Sequence, residues 1–141
     1  MGRGQGQASN QESNAAREAA SSLEVLVIED NAELADSTVR WLEDVCQVKA
    51  RLAMNLAQAQ KCLDEKLPDV ILSDNGLPDG KGVEFLPPVK AKHPEVVCIL
   101  WSGMLLKEDI EAASTLDGCY SKGFHGLDDV RAQLSEIISA R

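Results

Sequence analysis

Two patterns of hydrophobic positions alternate along the chain from Leu23 onward. Continuous apolar runs, typical of strands that are buried on both faces of a sheet, occur in the segments EVLVIED, DVILSD and VVCILWS. The weaker runs QVKARLA and GCYSK predict two further strands. Between the runs, apolar residues recur at three- and four-residue steps, which predicts amphipathic helices.

The predicted helices carry signals for where they begin and how they pack. Asn31 and Asn55 are placed to cap the first two helices, because a side-chain oxygen at this position accepts a backbone N–H. The third helix, predicted over Val83 to Lys92, contains Pro87 and Pro88, so we expect it to be kinked or split in two. The fourth, KEDIEAASTL, is short. The last helix has one apolar face, formed by Val130, Leu134, Ile137 and Ile138.

This order of elements predicts the fold class. Five strands separated by helical stretches pair in parallel, because each return to the same strand direction needs a crossover helix. We therefore expect an α/β fold with a doubly wound, five-stranded parallel sheet and helices on both faces. In such sheets, sites lie beyond the carboxyl ends of the strands, so the residues that finish each strand are the candidates for function.

The predicted strands end in an unusual set of polar residues: Glu29 and Asp30, then Asp74, Ser102 and Lys122. Taken singly, an Asp often caps a helix, a Ser often forms a turn and a Lys is usually solvated. Taken together, crowded carboxylates repel each other unless a cation joins them, and Mg²⁺ suits carboxylate oxygens. A lysine and a hydroxyl can bind phosphoryl oxygens. The set predicts a phosphoryl-transfer site in which a carboxylate is the nucleophile.

The first 22 residues differ from the rest of the chain. They contain no Val, Ile, Leu, Phe, Trp or Tyr, so they cannot bury enough apolar surface to offset the entropy of ordering. We predict a flexible leader over residues 1–22 and one domain over residues 23–141. Because only Ala140 and Arg141 follow the last predicted helix, we expect no effector domain.

Composition narrows the classes of partner and compartment. A net charge of −9 argues against nucleic acid and anionic membranes as main partners, because such a surface repels polyanions. No apolar run approaches a membrane span, and no secretory signal is present. The four cysteines include no close pair of the kind that zinc or dithiol chemistry needs. We expect reduced thiols and a cytoplasmic location.

From Leu23 onward the chain resembles the receiver domain of two-component response regulators, the CheY-like superfamily. The resemblance rests on an acid pair, a phosphoacceptor strand and loop, a switch hydroxyl and a lysine strand, which correspond to VLVIEDN, DVILSDNGLPDGKG, LWSG and YSKGF. It implies that Asp74 accepts a phosphoryl group from a phosphohistidine on a sensor histidine kinase or a histidine phosphotransfer protein. The receiver catalyses this transfer and its own dephosphorylation, and is not otherwise an enzyme.

The resemblance also implies roles for the neighbouring residues. Asp30, Asp74 and the backbone carbonyl of Gly76 would bind Mg²⁺ directly, and Glu29 would act mostly through water. Ser102 and Lys122 would bind the phosphoryl oxygens. Their movement would shift an equilibrium toward a surface that binds a downstream protein.

The chain departs from the family at the expected switch. Gly123 follows Lys122 where the family usually has a proline, and Cys119 stands where the family commonly has a switch aromatic. Tyr120 is one place later and, by strand alternation, should face the opposite side of the sheet. The stretch from Ser102 to Lys122 is shorter than usual, which should truncate the fourth helix.

Two other functions compete with a phosphorylation switch. One is a pseudo-receiver that is not phosphorylated and acts only as a protein-interaction module; the intact set of acids argues against it. The other is a phosphatase or nucleotide-binding enzyme of flavodoxin-like architecture. Such an enzyme would need a second catalytic acid after Asp74 or a phosphate-binding glycine loop, and the sequence has neither.

Overall fold

The apolar runs pair into one parallel sheet, as their pattern predicts. The structure is a computed structural model that describes residues 23–123 and 126–140, so the predicted leader lies outside the described residues. In chain order the strands are β1 (Glu24–Ile28), β2 (Lys49–Ala53), β3 (Val70–Ser73), β4 (Gly76–Leu77), β5 (Gly80–Lys81), β6 (Val97–Ser102) and β7 (Gly118–Ser121). The order in the parallel sheet is β2-β1-β3-β6-β7.

The described residues contain five α-helices, of which four connect strands and the last follows β7. They are α1 (Ala32–Asp44), α2 (Leu56–Glu65), α3 (Gly82–Lys92), α4 (Lys107–Ala112) and α5 (Gly126–Ser139). Asn31 and Asn55 cap α1 and α2, since their side-chain oxygens accept the backbone N–H groups of Leu34 and Gln58. A single 3₁₀ turn, Ala113–Thr115, follows the short helix α4.

Strand alternation divides the core into two layers, which confirms the doubly wound α/β fold. Leu26 and Ile28 of β1 pack on one face with α2 and α3, whereas Val25 and Val27 pack on the other face with α1 and α5. Leu134, on the predicted apolar face of α5, is buried in the second layer. Helices therefore cover both faces, and the carboxyl ends of the strands stay open at one edge.

Helix α3 corrects one prediction, because it runs without interruption through Pro87 and Pro88. Each proline removes a backbone N–H from the helix. The helix nevertheless buries Val83, Leu86 and Val89 in the first core layer. This tertiary packing outweighs the local preference to break, so the expected split into two helices is wrong, while the alternative expectation, a kink, stays a prediction.

The turn-rich segment after β3 forms a small hairpin that the apolar pattern did not predict. Strands β4 and β5 pair antiparallel, and Gly80 has a φ of 151°, a conformation that favours glycine. The Asp79 carboxylate accepts the backbone N–H groups of Leu56 (2.8 Å) and Ala57 (3.0 Å) at the start of α2. The Leu56 N–H holds the pKa of Asp79 below its usual range. The hairpin is thus anchored on α2.

Gly82, the first residue of α3, lies where only glycine fits. A Cβ there would be 2.3 Å from the backbone oxygen of Asp74 and 2.9 Å from Leu100 Cδ1. We expect Gly82→Ala to lower the free energy of unfolding by about 2 kcal/mol, although alanine is the better helix former. Gly103→Ala is the matched control, since its Cβ would come no closer than 4.0 Å to the nearest side chain. Urea unfolding midpoints measure both changes, and equal midpoints for the two variants would contradict the close approach.

Candidate functional site

The open edge of the sheet brings the predicted site residues into one cleft. Glu29 and Asp30 follow β1, Asp74 follows β3, Ser102 ends β6 and Lys122 follows β7. They line a cavity of about 540 Å³, and Gly76 lines the same cavity. Parallel pairing places all four strand ends side by side, which is why residues far apart in the chain meet here.

Three carboxylates form an acidic cluster in this cleft. Glu29, Asp30 and Asp74 each place one oxygen within 4.8 Å of the others. Glu29 is buried, with 4% of its surface exposed, whereas Asp30 is exposed and opens toward solvent. Hard oxygen ligands at this spacing suit Mg²⁺, so the cluster could hold a divalent cation.

Burial raises the pKa of Glu29, and three neighbours modify this effect. The Lys122 ammonium, which contacts Glu29 Oε1, and the Asn31 N–H, 3.2 Å from Oε2, lower the pKa, whereas the charge of Asp74 raises it. A buried carboxylate with two donors is fixed in position. Glu29 therefore anchors Lys122 within the cleft.

The Asp74 carboxylate is oriented by three donors. Its Oδ1 accepts the Ser102 hydroxyl and the Asn75 backbone N–H, both at 2.7 Å. Its Oδ2 lies 3.3 Å from Lys122 Nζ. One side of the carboxylate is thus held by hydrogen bonds and the other faces a positive charge. This arrangement favours nucleophilic attack on a group that carries negative charge.

Lys122 is held between the acids and an aromatic ring. Its backbone N–H donates to the Ser102 carbonyl at 2.9 Å, which ties the end of β7 to β6. Its Nζ lies 5.3 Å from the centre of the Trp101 ring. A cation over a tryptophan ring is attracted by the π-electrons. The sequence analysis did not identify Trp101 as a site residue. The only feature of the sequence that could have indicated this role is its position just before Ser102.

Cys119 and Tyr120 lie on opposite faces of the sheet, as strand alternation predicts. Cys119 is half-buried beside the first core layer, and burial raises the pKa of its thiol. Tyr120 packs on the second layer, where its hydroxyl donates to Gln133 Oε1 at 2.6 Å. Gln133 in turn donates to the Asp117 carbonyl at 2.9 Å. Tyr120 therefore attaches α5 to the sheet.

The four cysteines are free thiols, and burial raises the pKa of Cys98 to about 11. Among the described residues, no helix is long and apolar enough to cross a membrane.

A second group of polar residues, absent from the sequence prediction, lies beside the cleft. It consists of Asn75, Lys81 and Asp109. The Asp109 carboxylate is buried, with 5% of the residue exposed. No strand-end rule points to it, because it lies inside the short helix α4.

Comparison with known proteins gives one consistent family. The model of the response regulator receiver domain matches residues 25–125. The hydrogenase transcriptional regulatory protein HoxA of Cupriavidus necator is 36% identical over 97 residues, which are 68% of this chain and 20% of HoxA. A protein-glutamate methylesterase/protein-glutamine glutaminase of Caulobacter vibrioides is 31% identical over 124 residues, 82% of this chain and 36% of that protein. The chain thus spans well under half the length of these relatives.

Solved structures share the fold. A CheY-like receiver domain protein from Methanospirillum hungatei superposes with a TM-score of 0.74 at 21% identity, covering 86% of this chain and 100% of that one. The response regulator TrrA from Thermotoga maritima, solved in complex with Mg²⁺ and beryllium fluoride, gives a TM-score of 0.73 at 17% identity, covering 82% of this chain and 98% of that one.

Proposed function

The chain belongs to the response regulator receiver domain family, and from this we propose that phosphorylation of Asp74 switches a protein-binding surface. A receiver domain is a signalling module rather than a conventional enzyme. The observation that carries the proposal is the orientation of the Asp74 carboxylate. One of its oxygens accepts hydrogen bonds from the Ser102 hydroxyl and the Asn75 backbone N–H, and the other faces the Lys122 ammonium.

In the proposed transfer, a carboxylate oxygen of Asp74 attacks the phosphorus of a phosphohistidine. A P–O bond forms and the P–N bond breaks, with its electron pair remaining on the imidazole nitrogen, which takes up a proton. The product is an acyl phosphate on Asp74. The phosphohistidine belongs to a sensor histidine kinase or a histidine phosphotransfer protein, and we place the exchange in the cytoplasm.

Ser102 and Lys122 then change partners. Both contact Asp74 in the present structure, at 2.7 Å and 3.3 Å. A phosphoryl group on Asp74 carries more negative charge than the carboxylate that it replaces, so it attracts the hydroxyl and the ammonium more strongly. Movement of these two donors toward the phosphoryl oxygens is the first step of the switch.

The acidic cluster fits Mg²⁺. In this proposal Asp30, Asp74 and the Gly76 carbonyl would hold the ion directly, and Glu29 would act mostly through water, while its contact with Lys122 keeps that ammonium in the cleft. When bound, Mg²⁺ offsets the repulsion between the carboxylates and the incoming phosphoryl oxygens.

The domain boundaries stay part of the proposal. We propose that the receiver occupies residues 23–141; the predicted leader, residues 1–22, lies outside the described residues. The output is a downstream protein that recognises the switched surface.

Trp101 offers a direct test. In a Trp41→Phe background it is the only tryptophan, and Lys122 Nζ lies 5.3 Å from its ring. We expect Mg²⁺ with beryllofluoride, a phosphoryl mimic, to change Trp101 fluorescence in a saturable way, because Lys122 shifts toward the mimic. Mg²⁺ without fluoride serves as the control. No saturable response would instead support the interaction module that is not phosphorylated.

The departure at Cys119 predicts how the signal leaves the cleft. Its side chain is much smaller than an aromatic ring, so we expect Cys119→Ala to leave the beryllofluoride response of the α4 amides largely intact. Ser102→Ala and Lys122→Ala should each uncouple phosphorylation from α4, because they remove the donors that move. Amide chemical shifts across the three variants measure this. If Cys119→Ala alone silences the response, or if Tyr120 leaves Gln133 and exchanges between two rotamers, the signal follows another route.

A further inference from the structure

Asp109 is a buried carboxylate outside the acidic cluster, and it connects three segments. Its Oδ2 accepts the Leu106 backbone N–H at 3.0 Å, and its Oδ1 lies 3.5 Å from Lys81 Nζ on β5. The Leu106 N–H and the neighbouring Asn75 side chain both lower the pKa of the Asp109 carboxyl. The loop before α4, the hairpin and the segment that carries Asp74 therefore meet at one side chain.

Asn75 connects this side chain to the phosphoacceptor. Its backbone N–H donates to Asp74 Oδ1 at 2.7 Å, and its side-chain oxygen accepts the Val83 N–H at 3.2 Å. It is buried, with 5% of its surface exposed. A buried amide whose oxygen is bound to α3 has little freedom to turn, and this side chain neighbours Asp109. A displacement of the Asn75 backbone is therefore passed on to Asp109.

A second path runs from Asp74 through the β6–α4 loop. The Ser102 hydroxyl lies 2.7 Å from Asp74 Oδ1 and 3.4 Å from the Met104 carbonyl. Two residues later, the loop ends at Leu106, whose N–H is held by Asp109. Both routes from the phosphoacceptor thus converge on Asp109 at the start of α4.

We propose that Asp109 is the positioning residue that couples the phosphorylation state of Asp74 to the placement of α4. The proposal rests on the phosphorylation of Asp74 proposed above. When an oxygen of Asp74 becomes the bridging oxygen of the acyl phosphate and Ser102 turns toward the phosphoryl oxygens, the Asn75 N–H and the loop shift, and Asp109 carries both shifts into α4. The helix and its loop expose Met104, Leu106 and Ile110, so their displacement rearranges an apolar surface.

The coupling explains how a chain with a cysteine in place of a large switch residue still transmits a signal. Hydrogen bonds that a buried carboxylate accepts are directional and hold discrete arrangements. Cys119 is only half-buried and packs among apolar side chains, without a comparable set of polar contacts in the described part of the chain.

The test uses Asp109→Ala in the Trp41→Phe background. It measures the binding of Mg²⁺-beryllofluoride in the cleft separately from the coupling of that binding to α4. Trp101 fluorescence reports Mg²⁺-beryllofluoride binding in the cleft, and amide shifts of residues 107–112 report the movement of α4. We expect the affinity of Asp109→Ala for Mg²⁺-beryllofluoride to equal that of the wild type or to be up to about fivefold tighter, because the binding energy is no longer spent on displacing α4. We expect the α4 shift at saturation to fall below about a third of the wild-type value.

Two further variants decide between coupling and simple loosening of α4. Asn75→Ala, measured at saturation, leaves the Asp109 bond to Leu106 and the path through the β6–α4 loop in place, so it should lose only part of the α4 response. The double variant should respond no less than Asp109→Ala alone, because both paths converge on Asp109. Glu108→Ala, an exposed neighbour on α4, is the control that keeps the full response.

The outcomes are distinct for the two proposals. If the parent protein shows no fluorescence change, phosphorylation of Asp74 fails and the coupling fails with it. If fluorescence responds and Asp109→Ala retains the full α4 shift, the coupling role of Asp109 is overturned and the phosphorylation switch stands.

Discussion

We expect Asp74→Asn to abolish phosphorylation by acetyl phosphate and to leave the fold intact. The asparagine side chain keeps the volume of the carboxylate, and its oxygen can still accept Ser102 and the Asn75 N–H, but an amide is a poor nucleophile. Mass spectrometry after incubation with acetyl phosphate and Mg²⁺ measures the label. Circular dichroism measures whether the variant is folded, and we expect the parent spectrum.

Asp64→Asn is the matched control for this experiment. Asp64 lies exposed on α2, where its carboxylate accepts a hydrogen bond from the Gln60 side-chain amide. It is not among the residues that line the cleft. It should be labelled like the parent protein. If Asp74→Asn is labelled at the full rate, the phosphoryl acceptor is another side chain.

Mg²⁺ should raise the stability of the folded protein substantially. The three carboxylates of the acidic cluster repel each other, and only the folded chain assembles them within 4.8 Å. At a hundredfold excess of Mg²⁺ over its dissociation constant, the free energy of unfolding should rise by about 2.7 kcal/mol. Thermal unfolding across an Mg²⁺ titration measures this gain.

Asp30→Ala should lose most of this stabilisation. Asp30 is the exposed member of the cluster, so its removal creates no cavity in the core and isolates the contribution of the cation. Glu33→Ala, an acid in the first turn of α1 outside the cluster, should respond to Mg²⁺ like the parent protein. A melting temperature indifferent to millimolar Mg²⁺, or an Asp30→Ala variant that binds the ion normally, contradicts the proposed site.

The sheet and its two core layers could be predicted because their cause is local. Apolar runs such as VILS in β3 bury both faces of a strand, and the amphipathic repeats of α1 and α5 supply the covering layers. Asn31 and Asn55 were identifiable as caps for the same reason, since capping depends on residues three positions apart.

Helix α3 shows where local rules stop. Pro87 and Pro88 predict a break, but the burial of Leu86 and Val89 in the first core layer keeps one continuous helix. The hairpin β4–β5 is a second case, because its anchor is the contact between Asp79 and the start of α2, more than twenty positions earlier.

The candidate site also has one part that the sequence predicts and one part that depends on tertiary packing. The sequence alone determined that Glu29, Asp30, Asp74, Ser102 and Lys122 share one edge, because parallel pairing aligns the carboxyl ends of the strands whatever the side chains do. Only the tertiary structure decided what surrounds them. Trp101 lies under Lys122, and Asn75, Lys81 and Asp109 meet from three separate segments. Such contacts depend on how helices and loops pack, and no periodicity or spacing along the chain records that packing.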